Sequence, residues 1–234
     1  IWLEPYGCCD LGAINLVSHI NPETNEIDWD MLADSVTVGV RFLDDVLDVN
    51  IYPLPEIEKN CQNVRRIGLG IMGLGHCLIK MGYRYDNTEG RKMVEKIMNY
   101  IKKRAYEAST YIAAEKGPFP AFDTEKFLES GFCQTLTKGI RAKIREYGIR
   151  NCALLTIAPT GTTSIVSGTS SGIEPVFSPG YVRRYYADVE NSNARKIKEE
   201  IVIDPLFQKL YEDGYDLSAF ISAHDISVED HLRM

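Results

Sequence analysis

The sequence lacks the features that mark membrane and secreted proteins. No apolar run approaches the ~20 residues that cross a bilayer, and no charged start followed by an apolar stretch indicates a secretory signal. We therefore expect no membrane partner and a cytoplasmic location. Basic residues are also fewer than acidic ones, which gives a net charge of −7. That balance argues against a broad nucleic-acid-binding surface, and we interpret the Arg65-Arg66 and Arg183-Arg184 pairs as solvated or ion-paired.

The cysteine spacing excludes the common structural uses of this residue. The sequence contains no Cys-x-x-Cys motif and no His/Cys group with zinc spacing. A disulfide framework is not expected in a chain of 234 residues that can bury a core. Cys8 and Cys9 are adjacent, and a bridge between neighbours strains the peptide bond that joins them. On residue type alone we interpret both as small buried side chains, with a catalytic role left open.

The pattern of apolar residues predicts long helices together with a buried strand, and therefore an α/β fold. Asp28 and Asp86 are the expected caps of the two longest helices. The continuous apolar run 152–158 predicts a strand buried on both faces, and the prolines within 174–186 predict an irregular or edge strand. Helices are predicted where apolar side chains recur every three or four residues, over 28–50, 56–63, 86–116 and 193–214.

A loop of small hydroxyl residues carries the strongest chemical signal. It follows the apolar run 152–158 and leads into a predicted helix, whose free backbone N–H groups favour an anion such as phosphate. A glycine in the loop lets the backbone approach a ligand closely. The alternative is a Ser/Thr-rich connection that only caps the helix. The candidate phosphate-binding residues are Pro159, Thr160, Gly161, Thr162, Thr163 and Ser164.

A second glycine-rich stretch, Gly68–Gly73, matches the G-x-G-x-x-G pattern of dinucleotide sites. We reject that function because the residues before it are polar and basic, whereas the motif requires a preceding buried strand. The glycines are instead expected to allow close helix packing.

Three stretches together resemble one family, the large chains of ribonucleotide reductases, in order and spacing along essentially the whole sequence. The first, Leu3–Leu16, is similar to the family segment in which a Cys precedes Asn/Asp-Leu-Gly and the segment ends in Asn-Leu. The second is Arg65–Leu74. The third joins Thr156–Thr162 to Ser170–Pro175. Its Pro-Thr-Gly-Thr sequence looks more like the adenosylcobalamin-dependent class than the di-iron class, although some di-iron enzymes share it.

The resemblance implies a fold, a reaction and residue roles. The implied fold is a ten-stranded α/β barrel of two five-stranded halves, with residues 1–234 as the C-terminal part of the catalytic barrel domain. The implied reaction reduces ribonucleotides to 2′-deoxyribonucleotides by a thiyl-radical mechanism with a redox-active cysteine pair. Cys9 maps onto the second member of that pair, and Cys8 lies outside the pattern as a packing residue. The loop from Pro159 to Ser164 maps onto the residues that hold the substrate's phosphates.

The same resemblance implies a cofactor and partners. Adenosylcobalamin would be the radical source, and a di-iron radical-generating small subunit is the alternative. The partners would be a ribonucleoside diphosphate or triphosphate, a thioredoxin-like reductant and the rest of the reductase chain.

Parts of the family pattern are absent from the sequence. The Asn-Pro-Cys-Gly-Glu finger loop, which carries the radical cysteine and a catalytic Glu, would lie directly before Ile1, and a cysteine-bearing tail would follow the last residue. We therefore expect a fragment that is inactive and poorly stable by itself, because half a barrel leaves strand edges unpaired.

Two other interpretations stay open: a different phosphate-binding α/β enzyme, such as a kinase or flavin protein, and a non-catalytic module that completes a barrel.

Overall fold

A computed structural model of the chain describes residues 3–188 and 195–234, which combine helices and strands as predicted for an α/β protein. No helix among these residues is long and apolar enough to cross a bilayer. The strands are β1 (Asp10–Asn15), β2 (Ile67–Met72), β3 (Gly180–Asp188) and β4 (Arg195–Ile203). The helices are α1 (Trp29–Val49), α2 (Pro55–Val64), α3 (Leu74–Lys80), α4 (Thr88–Lys116), α5 (Thr124–Glu129), α6 (Lys138–Tyr147), α7 (Gly161–Val166), α8 (Pro205–Glu212) and α9 (Val228–Arg233).

The core is built on a small parallel sheet. Strands β1 and β2 pair in parallel, with Asp10 opposite Ile67 at one end and Asn15 opposite Met72 at the other. A third stretch, residues 152–157, runs extended along the other edge of β2 and is called here the third segment. The Leu69 N–H donates to the Leu154 carbonyl at 2.7 Å, and Leu69 accepts from the Thr156 N–H at 3.2 Å. The order is therefore β1, β2, third segment, all running the same way.

The third segment departs from the prediction of a strand buried on both faces. It forms only one isolated bridge, between Leu69 and Leu155, and not a regular strand. Leu154 is fully buried, whereas Ile157 is 54% exposed. The physical reason is that only the β2 side of the segment has a backbone partner among the described residues. Strand β2, which has a neighbour on each side, is buried at all six positions.

Two long helices cover one face of this sheet. Helix α1 begins after Asp28, whose carboxylate accepts from the Met31 N–H at 2.9 Å, as predicted. Helix α1 packs tightly on the sheet, since a Cβ added at Gly39 would lie 3.1 Å from the Leu69 side chain. Helix α4 packs against α1. The predicted Asp86 cap of α4 is wrong: Asn87 caps the helix, because Arg84 holds the Asp86 carboxylate at 2.9 and 3.0 Å.

The predicted helix over 193–214 is wrong for most of its length. Residues 193 and 194 lie outside the described residues, and β4 pairs antiparallel with β3, with Gly180 opposite Ile203. Helix α8 begins only at Pro205. Apolar pairs across the two strands, such as Val182 with Ile201, explain the outcome, because cross-strand contacts override a weak helical pattern. The prediction for 174–186 is confirmed: its first residues are irregular, and β3 belongs to a two-stranded ribbon.

The explanation of the glycine-rich stretch by helix packing is also wrong for its first two glycines. Gly68 and Gly70 lie inside β2, so they allow neighbouring strands to approach closely. A Cβ at Gly70 would lie 2.7 Å from the Thr156 carbonyl oxygen. Only Gly75, in α3, brings a helix close to another backbone, that of Glu174 at 2.9 Å. Two glycines within a strand do not form the phosphate turn of a dinucleotide site.

Candidate functional site

Cys9 lies at the amino end of the sheet, directly before β1. Its sulfur and the Thr156 methyl group lie over the backbone of Gly68, at 3.1 and 2.9 Å from the point where a Cβ would stand. Leu11 borders the same point and is 52% exposed. We call the surface formed by Cys9, Leu11, Gly68 and Thr156 the open face. Side chains alternate along a strand, so this face is opposite the one covered by α1.

Burial favours the thiol form of Cys9. Burial raises the pKa of the Cys9 thiol, Arg66 offsets part of this rise, and Asp10 adds to it. Arg66 is paired with Glu4 at 3.2 Å. Glu4 Oε1, Asp10 Oδ2 and Arg66 Nε are buried and have no hydrogen-bond partner among the described residues. Buried polar atoms are almost always satisfied in proteins, so these three atoms can each take a further hydrogen bond.

Cys8 is directed away from this surface. Its sulfur lies 2.8 Å from the sulfur of Cys61 in α2. Successive side chains of an extended chain point to opposite sides, which is how two adjacent cysteines reach different surroundings. Burial and the contact with Cys61 raise the pKa of the Cys8 thiol to about 12.

The hydroxyl loop leads into the short helix α7. Thr160 precedes the helix in a left-handed conformation, with φ 50°. The first helical hydrogen bond is donated by the Ser164 N–H to the Thr160 carbonyl at 2.8 Å. The N–H groups of residues 161–163 precede that bond and lie in the exposed part of the loop, so they are free to receive an anion.

Two of the predicted phosphate-binding hydroxyls are used to hold the loop together. Thr160 Oγ1 accepts from the Gly172 N–H at 2.8 Å. Ser164 is buried, and its hydroxyl lies 3.0 Å from the Gly161 carbonyl and 2.9 Å from the Ser171 hydroxyl. The exposed hydroxyls are those of Thr162 and Thr163, and Pro159 is also exposed. The loop therefore offers mainly backbone donors to a ligand.

The hydroxyl loop lies at the carboxyl end of the sheet. The Gly73 N–H, just after β2, donates to the Ser170 carbonyl at 2.8 Å. A Cβ at Gly73 would lie 2.5 Å from Thr169 Oγ1 and 3.0 Å from Asn15 Oδ1, at the end of β1. Cys9 is therefore at one end of the sheet and the hydroxyl loop at the other. Thr156 connects them, since it adjoins Cys9 and is separated from Thr160 by at most about 14 Å of extended chain.

Sequence reasoning missed a buried ionic network at the amino end. Asp44 has no exposed side-chain surface and binds Arg65 at 2.9 Å, Arg150 at 3.1 Å and the Asn151 amide at 2.9 Å. Arg65 itself ends α2 in a left-handed conformation, with φ 48°. The interpretation of Arg65 as ion-paired is confirmed, but its burial was not foreseen. The available signal was Asp44 itself, which follows Val40 by one helical turn in the apolar stripe of α1.

Comparison with known proteins identifies relatives along almost the whole chain. The family model for the ribonucleotide reductase barrel domain matches residues 3–232. A vitamin B12-dependent ribonucleoside-diphosphate reductase of Mycobacterium tuberculosis is 35% identical over 99% of this chain and 32% of its own length. The enzyme of the same description from Thermoplasma acidophilum is 34% identical over 99% of this chain and 30% of its own length.

A more distant relative carries a different description. A ribonucleoside-diphosphate reductase subunit alpha of Chlamydia muridarum is 32% identical over 75% of this chain and 19% of its own length. The chain thus spans about a third of the length of the curated relatives that it matches throughout.

Proposed function

The chain belongs to the family of ribonucleotide reductase barrel domains, and on that premise we propose that it supplies the C-terminal part of a catalytic barrel that reduces ribonucleotides to 2′-deoxyribonucleotides. The observation that carries the proposal is the family match over residues 3–232, and the positions of Cys9 and the hydroxyl loop at the two ends of one sheet are consistent with it. Within residues 3–188 and 195–234, β1 and the third segment each have one edge without a strand partner, which supports the same proposal because exposed edges are usually paired or covered.

Cys9 is proposed as the second member of the redox-active pair. In this step the substrate's 2′-OH leaves as water. Two thiols give up their hydrogens and two electrons to the substrate, and their sulfurs join as a disulfide. A thiol must be protonated and reachable to do this. The raised pKa of Cys9 and its position on the open face support that role.

The hydroxyl loop is proposed to hold the phosphates of a ribonucleotide. Backbone N–H groups of Gly161, Thr162 and Thr163 bind an anion without a net positive charge, which reconciles phosphate binding with a chain charge of −7. Thr160 and Ser164 act by fixing the loop. The nucleotide would lie along the open face past Thr156, with its sugar toward Cys9. The relatives are named diphosphate reductases, which favours a diphosphate over a triphosphate.

Adenosylcobalamin is the proposed cofactor, and a di-iron small subunit is the alternative. The M. tuberculosis and T. acidophilum relatives are named as vitamin B12-dependent. When bound, this cofactor supplies the organic radical that generates the thiyl. Leu11, which is half-exposed beside Cys9, would offer such a cofactor an apolar contact. A thioredoxin-like protein is the proposed reductant of the resulting disulfide, and the rest of the reductase chain would complete the barrel.

The test compares two adjacent cysteines in the intact protein that contains this sequence. We expect Cys9→Ser to bind a ribonucleoside diphosphate normally but to lose repeated turnover with a dithiol reductant, and Cys8→Ser to retain turnover. Folding of both variants is checked by circular dichroism. Unchanged turnover in Cys9→Ser would favour a different phosphate-binding enzyme. Failure of the wild-type protein to bind the nucleotide in a calorimetric titration would favour the non-catalytic module.

A further inference from the structure

The contact between Cys8 and Cys61 has no role in the proposed reduction. The two sulfurs lie 2.8 Å apart although the residues are 53 positions apart in the chain. Cys61 is buried in α2, whereas Cys8 is only half-buried in the irregular segment before β1. One thiol is thus fixed by a helix and the other is accessible from solvent.

The distance between the two sulfurs is close to that in a disulfide. An S–S bond measures about 2.05 Å, so bond formation requires the sulfurs to approach by less than one ångström. The segment that carries Cys8 can make this movement, because few bonds fix it to α2. These bonds are a hydrogen bond from Asn60 to the Pro5 carbonyl at 3.4 Å, and the ion pair of Glu4 with Arg66 just beyond the helix.

We propose that Cys8 and Cys61 form a second cysteine pair, distinct from Cys9, that a low-molecular-weight disulfide such as glutathione disulfide converts into a reversible disulfide. The small fraction of Cys8 that is thiolate attacks one sulfur of glutathione disulfide and releases one glutathione thiol, so the raised pKa of Cys8 makes this step slow at neutral pH and faster as the pH rises. Cys61 then displaces the second glutathione and closes the Cys8–Cys61 bond. Two protein thiols are oxidised, one disulfide is reduced to two thiols, and the two protein protons pass to the released glutathiones.

The bond would have one consequence for the neighbouring site. It would tie the segment that carries Cys9 covalently to α2, in addition to one long hydrogen bond and one ion pair. The inference rests on the sulfur contact alone and does not depend on the proposed function of Cys9.

The experiment maps the disulfide by mass spectrometry in the intact protein. The protein is incubated with glutathione disulfide under native conditions, its remaining thiols are alkylated, and it is digested with trypsin. Cleavage after Lys59 and Arg65 releases the peptide 60–65, which contains only Cys61. We expect this peptide linked to the one that carries Cys8 and Cys9, with the loss of two free thiols, reversal by dithiothreitol and a higher unfolding midpoint.

Matched variants assign the bond. Cys9→Ser should keep the link, Cys8→Ser should abolish it, and Cys133→Ser, which changes a buried cysteine elsewhere, should leave it unchanged. A link that survives Cys8→Ser but is lost in Cys9→Ser would overturn the inference. Glutathione attached to Cys8 without closure onto Cys61 would also overturn it. Because Cys9→Ser retains the link while it loses turnover, failure of this inference and failure of the proposed function are distinguishable.

Discussion

The two ends of the small parallel sheet are held by different kinds of interaction. At the amino end, the buried carboxylate of Asp44 binds Arg65, Arg150 and Asn151, which fixes the starts of β2 and the third segment. At the carboxyl end, neutral bonds from Thr160 and Ser164 fold the hydroxyl loop on itself. The ends therefore differ in charge, burial and cost of disruption.

This difference matches the chemistry proposed for each end. A thiol that exchanges hydrogen must stand at a fixed distance from its target, and a buried ionic network is strongly destabilised when one partner is lost. A loop that closes on an anion needs donors that can adjust, and neutral hydrogen bonds contribute only about 1 kcal/mol each. The predictions below test whether the two ends respond as differently as their bonding implies.

The largest expected effect is at Asp44. Asp44→Ala leaves Arg65 buried with fewer partners and frees Arg150 and Asn151, so we expect unfolding to become easier by about 3–5 kcal/mol. Urea-induced unfolding measures the change. The control is Asp45→Ala, since Asp45 is 49% exposed and, in the part of the chain that the structure describes, pairs only with Lys116. We expect less than about 1 kcal/mol there, and equal effects of the two substitutions would contradict the comparison.

A pair of glycines gives the next test. A Cβ at Gly68 would lie 2.5 Å from the Leu11 side chain and 2.9 Å from the Thr156 methyl, so Gly68→Ala should destabilise by about 1–3 kcal/mol. At Gly161 nothing lies within 4 Å of an added Cβ. Gly161→Ala should therefore be neutral, or stabilising by about 0.4–1 kcal/mol. Thermal melting of both variants measures the two changes in stability. A larger loss of stability in Gly161→Ala than in Gly68→Ala would show that the loop end is the rigid one.

Alkaline pH should act on the amino end through Cys152. Burial raises the pKa of Cys152 to about 11 from 9.0, so the folded protein keeps a proton that the unfolded chain releases. This stability is complete below pH 9 and is lost as the pH rises toward 11. One pKa unit corresponds to about 1.4 kcal/mol, and partial exposure lowers the expected loss to about 1–2 kcal/mol. Cys152→Ala should show a flatter decline of the urea midpoint over this range, and identical slopes would refute the assignment.

The smallest effect is expected at Ser164. Its hydroxyl bonds the Gly161 carbonyl and Ser171 in a buried position, so Ser164→Ala should cost about 1 kcal/mol. Thr163→Ala, at an exposed hydroxyl, should change stability by less than about 0.5 kcal/mol. Nucleotide affinity sharpens the test, because a disordered loop binds phosphate more weakly. Unchanged nucleotide affinity in Ser164→Ala would mean that phosphate binding does not depend on the hydrogen bonds of the Ser164 hydroxyl.

The sequence predicted what local patterns determine. The apolar spacing located α1 and α4 within a few residues, and the small hydroxyl residues identified a loop before a helix. It could not predict that Thr160 and Ser164 bond to the segment after α7, because their partners Gly172 and Ser171 are set by the turn of the chain and not by any local pattern. The predicted 193–214 helix failed for a related reason, since β3 supplied partners that the periodicity does not contain.

The site shows the same limit. Residue pattern and family resemblance singled out Cys9 and the hydroxyl loop, but they gave no sign that these lie at opposite ends of one sheet. The contact of Cys8 with Cys61 was invisible as well, because the two residues are 53 positions apart and no spacing rule links them.

The parallel pairing of β1 with β2, and of β2 with the third segment, also determines when the sheet can form during synthesis. Leu11 has its partner only when Gly68 has been made, and Leu69 meets Leu155 much later still. A ribosome therefore releases β1 and α1 long before the sheet can close, and contacts so distant in sequence form slowly. Until then the apolar side of α1 is exposed to other nascent chains, so chaperone binding should concentrate on α1 while the residues up to the third segment are being made.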